Sequence, residues 1–286
     1  AGFRLGRSPF GRAAAMTVAV WNPFVVERLL QGQWSLAAAG WLLPLVALGC
    51  GPASGLAHWL ASLTPTGALA AACFARGWPG VAVSVCTCLP WVVASVFADA
   101  PGTSSAASAA AFAPRAEAHV GTLGSLLGLG GIWNGQAVPA SRELGFALFG
   151  VALSALLALS WRAVPRRFLL LAAVGFAVAF GSWAGLTAPL IQHLPGGGLL
   201  RDGQKWLILA IPAFVAAAGA LEPRRALAAA AFALLQVPDA PVALAALAPT
   251  TVEVPAVDHR GRDVLFESRP ALVPIDGHPV VDPAPK

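Results

Sequence analysis

Tyrosine is missing from this chain, methionine occurs once, and lysine stands only at position 205 and at the final position, 286. Charge of either sign is scarce: 11% of the 286 residues are Asp, Glu, Lys or Arg, against 57% hydrophobic ones. Soluble domains carry roughly 25% charged residues, so the composition excludes that class. The mean hydropathy of +0.73 agrees. The net charge of +5 comes from short arginine clusters between apolar segments. No basic stripe with interleaved aromatics occurs, so no nucleic-acid partner is expected.

Signature motifs of soluble chemistry are also missing. There is no His-Glu-x-x-His, no Gly-x-Ser-x-Gly and no dinucleotide fingerprint. No soluble cofactor is therefore implied, and nothing supports a divalent metal. Cys50 and Cys73 are solitary, and Cys86-Thr87-Cys88 lacks the further His or Cys that a zinc site needs. These thiols read as small buried hydrophobes.

Long apolar stretches are what the chain does have. A bilayer core about 30 Å thick needs ~20 apolar helical residues, with about 17 as the lower limit. Segments from Trp34 to Cys50, Val81 to Ala98, Leu144 to Trp161 and Phe168 to Ala188 meet it. Leu56 to Ala75 holds His58 and the Pro65-Thr66-Gly67 interruption, which predicts a kinked span or an interfacial helix. Trp206 to Leu221 is marginal, Ala226 to Val237 is short, and Ala13 to Val20 spans only if it continues to Val26. The expected fold is an all-α polytopic transmembrane bundle of about six spans, with a short irregular or β extracytoplasmic carboxy-terminal tail. Gly181 and Gly185 have the small-x-x-x-small spacing of closely packed membrane helices.

Arginine placement sets the orientation. Arg76, Arg162, Arg166, Arg167, Arg224 and Arg225 are expected on the cytoplasmic side of a multi-pass plasma-membrane protein. Residues 99–143 and 189–205 then form extracytoplasmic loops. The resulting organisation is a basic, interfacial 1–33, first spans over 34–98, the loop 99–143, a second group of spans over 144–238, and a soluble tail over 239–286. That tail carries Glu253, Asp258, Asp263, Glu267, Asp276 and Asp282. At the other end, Arg4, Arg7 and Arg12 favour a cytoplasmic start. Three spans before Asp99 would put residues 22–33 inside, whereas an interfacial Leu56 to Ala75 would put them outside. A chain opening Ala1-Gly2-Phe3 and closing Pro283-Ala284-Pro285-Lys286 reads as part of a longer polytopic protein.

Charges at the mouth of a span are costly and read first as functional. Arg201-Asp202-Gly203-Gln204-Lys205 places three of them between apolar flanks, after Gly196-Gly197-Gly198. A helix starting near Leu199 would put Arg201 and Lys205 one turn apart on one face. Two cations beside a helix start and a glycine run suit a phosphate or pyrophosphate. An interfacial anchor of Lys205 and Trp206, with Arg201 and Asp202 as a solvated pair, is the structural alternative.

Weaker candidates lie elsewhere. Asn22-Pro23 should break an apolar segment, and Glu27-Arg28 then neutralise each other locally or orient a ligand. In the loop, Arg115, Glu117, His119, Asn134 and Arg142 could contact a polar substrate, His119 by proton transfer. Loops of that length usually serve a function.

Asn22-Pro-Phe-Val-Val-Glu-Arg-Leu-Leu-x-Gly-Gln-Trp34, Leu89-Pro-Trp-Val-Val93, Gly130-Gly-Ile-Trp-Asn134 with Pro139-x-Ser-Arg142, and Leu200-Arg-Asp-Gly-Gln-Lys-Trp206 together resemble actinobacterial membrane proteins related to the GT-C glycosyltransferases. The resemblance covers about Trp21 to Asp239. It implies transfer of a sugar from a polyprenyl-phosphate donor in cell-envelope glycan or glycoprotein synthesis, with Arg201 and Lys205 on the donor phosphate and the lipid bilayer as surroundings. The acidic pair such enzymes carry in an early extracytoplasmic loop has no counterpart here. A transporter or flippase for an anionic lipid, or a non-catalytic subunit, is the alternative.

Overall fold

The computed structural model describes residues 6–49, 51–97 and 105–247, together with the backbone of two strands at 272–275 and 278–281. The chain divides into two compact units, 1–245 and 246–286. In the second, Leu272–Ile275 and His278–Val281 pair antiparallel, Leu272 opposite Val281. The tail acids named above lie outside the described residues.

The first unit is helical. Its elements are α1 Pro9–Val20, α2 Pro23–Leu30, α3 Trp34–Leu48, α4 Gly51–Ala61, α5 Pro65–Cys73, α6 Gly77–Phe97, α7 Ala106–Ala111, α8 Gly121–Leu127, α9 Ala147–Ala158, α10 Arg166–Trp183, α11 Ala188–His193, α12 Ile211–Ala220, α13 Pro223–Leu235 and α14 Ala240–Ala245. Five helical stretches are long and apolar enough to cross a membrane: Pro9–Leu30, Gly77–Phe97, Arg166–Trp183, Gly203–Ala220 and Pro223–Ala245. Such helices, with the composition, are those of a membrane protein.

Local chemistry sets the breaks. Asn22 closes α1 and opens α2: its amide donates to Val18 O at 3.1 Å and Ala19 O at 3.3 Å, and its oxygen accepts from Val25 N at 3.1 Å. Pro23 then occupies the first helical turn, where its missing N–H costs nothing. The stretch Leu56 to Ala75 is two helices: α4 ends at Ala61 and α5 starts at Pro65. Leu144 to Trp161 is shorter than expected from its apolarity. A π-turn over Arg142–Phe146, with Gly145 at φ 97°, precedes the 12-residue α9. α10 stops at Trp183, five residues before the expected Ala188.

The core forms around the 3₁₀ helix Gly203–Ala210 and α12, where Leu207, Ile208, Leu209, Ala210 and Ile211 are buried. α10 packs against this segment through glycine. A Cβ on Gly175 would lie 2.5 Å from the Trp206 carbonyl oxygen, and one on Gly203 2.2 Å from Ser182 Cβ. Gly181 and Gly185, expected to make the close helix contact, do not. A Cβ on Gly181 would meet only Leu186 and Thr187, and Gly185 turns the chain at φ 75° with nothing near it.

Contacts also sort the basic segments. Arg7 N donates to Gly219 O at 3.0 Å, and Ser160 Oγ to Ala217 O at 2.9 Å. The turns around Arg162 and Arg224 therefore lie with Arg7 at one end of the unit.

Candidate functional site

The Arg201–Lys205 segment is built differently from the expected helix. Gly196, at φ 77°, leads into a 3₁₀ turn over Gly197–Leu200 that ends before Arg201. The next helix starts at Gly203, and the Asp202 carboxylate caps it by accepting from Lys205 N at 3.3 Å. Arg201 and Lys205 are thus not one turn apart on a common helix. They nonetheless line one cavity of about 380 Å³, with Asp202, Gln33, Phe112 and Trp133.

The two cations are held unequally. The Arg201 guanidinium lies 4.1 Å from the centre of the Phe112 ring and 3.4 Å from Ser108 Oγ, a cation–π seat. The Lys205 ammonium has no ion pair or hydrogen bond among the described residues. Phe112 and Trp133 pack at 4.5 Å between centroids. The Trp133 indole N–H is buried with no partner.

Behind the cavity lies a buried ion network. Arg28, from α2, donates to Asp202 at 2.5 and 3.0 Å, to Gln33 at 2.8 Å and to Gln204. Burial raises the pKa of the Asp202 carboxyl, and the Arg28 guanidinium beside it, aided by Lys205, lowers it by more. The net result is a carboxyl below its ordinary value. Glu27 accepts from Ile132 N at 3.1 Å and lies 3.7 Å from Arg142 Nε. Arg142 is bonded to Glu117 at 2.6 Å and donates to Gln236 O at 3.2 Å. Glu117 in turn accepts from Gly131 N at 2.7 Å. The carboxylates of Glu27 and Glu117 therefore hold the backbone of residues 131–132, immediately before Trp133. Gly130 has room for nothing larger: a Cβ would lie 2.5 Å from Arg142 and Glu117.

The predicted site residues fall into three groups. Arg201, Asp202 and Lys205 line the cavity. Glu27, Arg28, Glu117 and Arg142 form the buried network, with Asn134 at its edge, where its amide donates to Gln31 at 2.7 Å. Arg115 and His119 are exposed and line neither this cavity nor the groove beside it. Glu27 and Arg28 form no ion pair with each other among the described residues: Arg28 pairs with Asp202 and Glu27 with Arg142, as adjacent helix positions point apart. Gln33, Gln204 and Phe112 carry the arrangement without having been singled out. Gln204 stood inside the charged cluster, and Gln33 only one residue from a predicted span.

Beside the cavity runs an apolar groove of about 510 Å³, lined by Pro65, Ala68 and Leu69 of α5, Trp91 and Val92 of α6, and Leu199. Gly198 lines both spaces. The start of α5 separates them, with Thr64 and Thr66 on the cavity and Pro65 on the groove. Among the described residues no cluster of His, Cys, Asp and Glu could hold a metal ion.

Fold and site together define a helical membrane protein with a cationic, aromatic-walled cavity beside an apolar groove. No family model, curated protein or solved structure matches the chain.

Proposed function

We propose that this protein binds the phosphate of a lipid-linked sugar, of the polyprenyl-phosphate kind, and acts as a GT-C-like glycosyltransferase in cell-envelope glycan or glycoprotein synthesis. It does so as a multi-pass protein of the plasma membrane, with the cavity on the extracytoplasmic side. One observation carries the reading: two cations and a long apolar groove share a wall at Gly198. A phosphate between Arg201 and Lys205 leaves its hydrocarbon chain beside Leu69, Trp91 and Leu199, where burial is favourable at about 25 cal/mol per Å². Trp133 and Phe112 offer aromatic faces to a sugar.

The second reading is a protein that binds or moves an anionic lipid without transferring sugar. Asp202, the carboxylate lining the cavity, supports it, because Arg28 already holds both of its oxygens. A carboxylate so engaged is a poor base.

Transfer of radiolabelled sugar from polyprenyl-phosphate donors, measured beside donor binding, separates the two. Arg201→Ala and Lys205→Ala should each weaken donor binding about tenfold, the scale of one lost charge-assisted contact. Tight donor binding by the wild type without transfer favours the second reading. Undiminished binding by both variants rejects the phosphate site.

A further inference from the structure

We infer that Thr66, at the start of α5, is a further binding residue for the lipid-linked phosphate and holds it where the cationic cavity meets the apolar groove. This role rests on the proposal that the cavity binds such a phosphate. An amphiphile whose chain lies in the groove carries its phosphate at the seam between the two spaces, because burying the charge on the apolar side is costly. Two elements form that seam. One is Gly198, just before Arg201, which lines both spaces. The other is the start of α5, where Pro65 lines the groove and Thr64 and Thr66 line the cavity.

The protein leaves the polar groups of that start unused. Thr64 stands at the N-cap of α5, yet its side chain makes no capping hydrogen bond, so the first amides of the helix stay uncovered. Pro65 has no N–H, and that of Thr66 is therefore the first the helix offers. No acceptor among the described residues takes it. The Thr66 hydroxyl is without a partner as well, although the residue is only 3% exposed. It is not one of the sealed polar atoms of the interior, so it reaches open space, and the open space that Thr66 lines is the cavity. Buried hydroxyls nearly always find a bond, and here a ligand oxygen would supply it.

Packing fixes these groups in place. A Cβ on Gly67 would lie 2.9 Å from Ala39 Cβ and would clash with Ala61 O, so the backbone just after Thr66 sits directly on α3 and on the end of α4. α5 also packs against the Gly203–Ala210 helix that carries Lys205. Arg201, Lys205 and Thr66 thus line one space, and Asp202 in its wall is already held by Arg28.

A helix-start N–H and a hydroxyl can both donate to phosphate oxygens, and hydrogen bonds to a charged acceptor are the stronger kind. Both donors are set before the ligand arrives, which limits the ordering cost of binding. The test is binding of a polyprenyl monophosphate to the purified full chain in nanodiscs of neutral lipid, beside the unphosphorylated polyprenol and inorganic phosphate as further probes.

Thr66→Val removes the hydroxyl and keeps the shape. It should weaken binding of the polyprenyl monophosphate about tenfold and leave that of the polyprenol unchanged. Thr66→Ser should bind like the wild type. Since the hydroxyl has no partner in the protein, Thr66→Val should also leave the ligand-free unfolding midpoint in place. Inorganic phosphate should compete weakly, and competition at the affinity of the lipid would overturn the placement at the seam. Binding that falls in Arg201→Ala and Lys205→Ala but not in Thr66→Val overturns the role of Thr66 and leaves the cation site standing. Equal losses in Thr66→Val and Thr66→Ser, or a lowered ligand-free midpoint in Thr66→Val, make Thr66 a packing residue and overturn it too. A wild type that binds both lipids equally has no phosphate site, and the role of Thr66 falls with it.

Discussion

Arg28 and Asp202 stand 174 positions apart and form the central contact of the site. Arg28 is fully buried and Asp202 nearly so, and such a pair is worth less than it costs to break. Removing one partner strands a buried charge, at about 3–5 kcal/mol. Arg28→Ala should therefore lower the thermal unfolding midpoint in detergent far more than the paired replacement Arg28→Met/Asp202→Leu. Equal losses would mean that the pair is solvated. A depressed carboxyl also fixes a pH dependence. The stabilisation from Asp202 is complete above the ordinary carboxylate value of about 3.9 and is lost as pH falls through the lower folded-state value. An acid titration of unfolding should show this loss in the wild type and a smaller one in Asp202→Asn. Gly130→Ala tests the other half of the network. A methyl 2.5 Å from Arg142 and Glu117 must push the ion pair apart, so both stability and ligand binding at the Trp133 wall should fall.

Helix boundaries were the most legible elements, because they are local chemistry. Asn22-Pro23 and Pro65 each start a helix where their side chains or φ preferences require it, whereas the end of α3 at Leu48, with Gly49 as its left-handed cap, falls short of the expected Cys50. Asn22→Ala removes the cap of α2 and the bonds to the end of α1 together, and should cost about 1–2 kcal/mol in chemical unfolding. Packing between elements was less legible. The spacing of Gly181 and Gly185 pointed to a helix contact, yet the contact is at Gly175, whose neighbour Trp206 lies 31 positions away in sequence. Gly175→Leu should destabilise by roughly 1–3 kcal/mol or more, whereas Gly181→Leu, with its nearest neighbour at 3.7 Å, should be tolerated. Reversal of that order in unfolding midpoints would reject the packing described. The apolarity of Leu144 to Trp161 likewise overstated its helix, because a run of apolar residues does not reveal a π-turn at Gly145.

At the scale of the molecule, the basic segments meet at one end of the helical unit and Arg201 lies toward the other. Single cysteines placed at Arg162 and Gly196 in an otherwise cysteine-free chain should accordingly react with an impermeant maleimide from opposite faces of sealed vesicles. Labelling from one face would remove the orientation on which the extracytoplasmic placement of the cavity rests. Polar cavities lie at both ends of α3, with an apolar groove beside the one that Arg201 and Lys205 line.

Composition by itself determined that this chain is a helical membrane protein, because bilayer thickness and the cost of unpaired backbone groups leave few other uses for so much apolar length. It also marked most residues of the site, because a charge beside an apolar segment stands out. Tertiary structure alone decided what each does. Glu27, Glu117 and Arg142 are spent on one another and on the backbone before Trp133, Arg28 is spent on Asp202, and Arg201 and Lys205 line the cavity. The Arg28–Asp202 and Glu27–Arg142 pairings join segments more than a hundred residues apart, and only the packed helices bring them within the few ångströms over which buried charges choose partners.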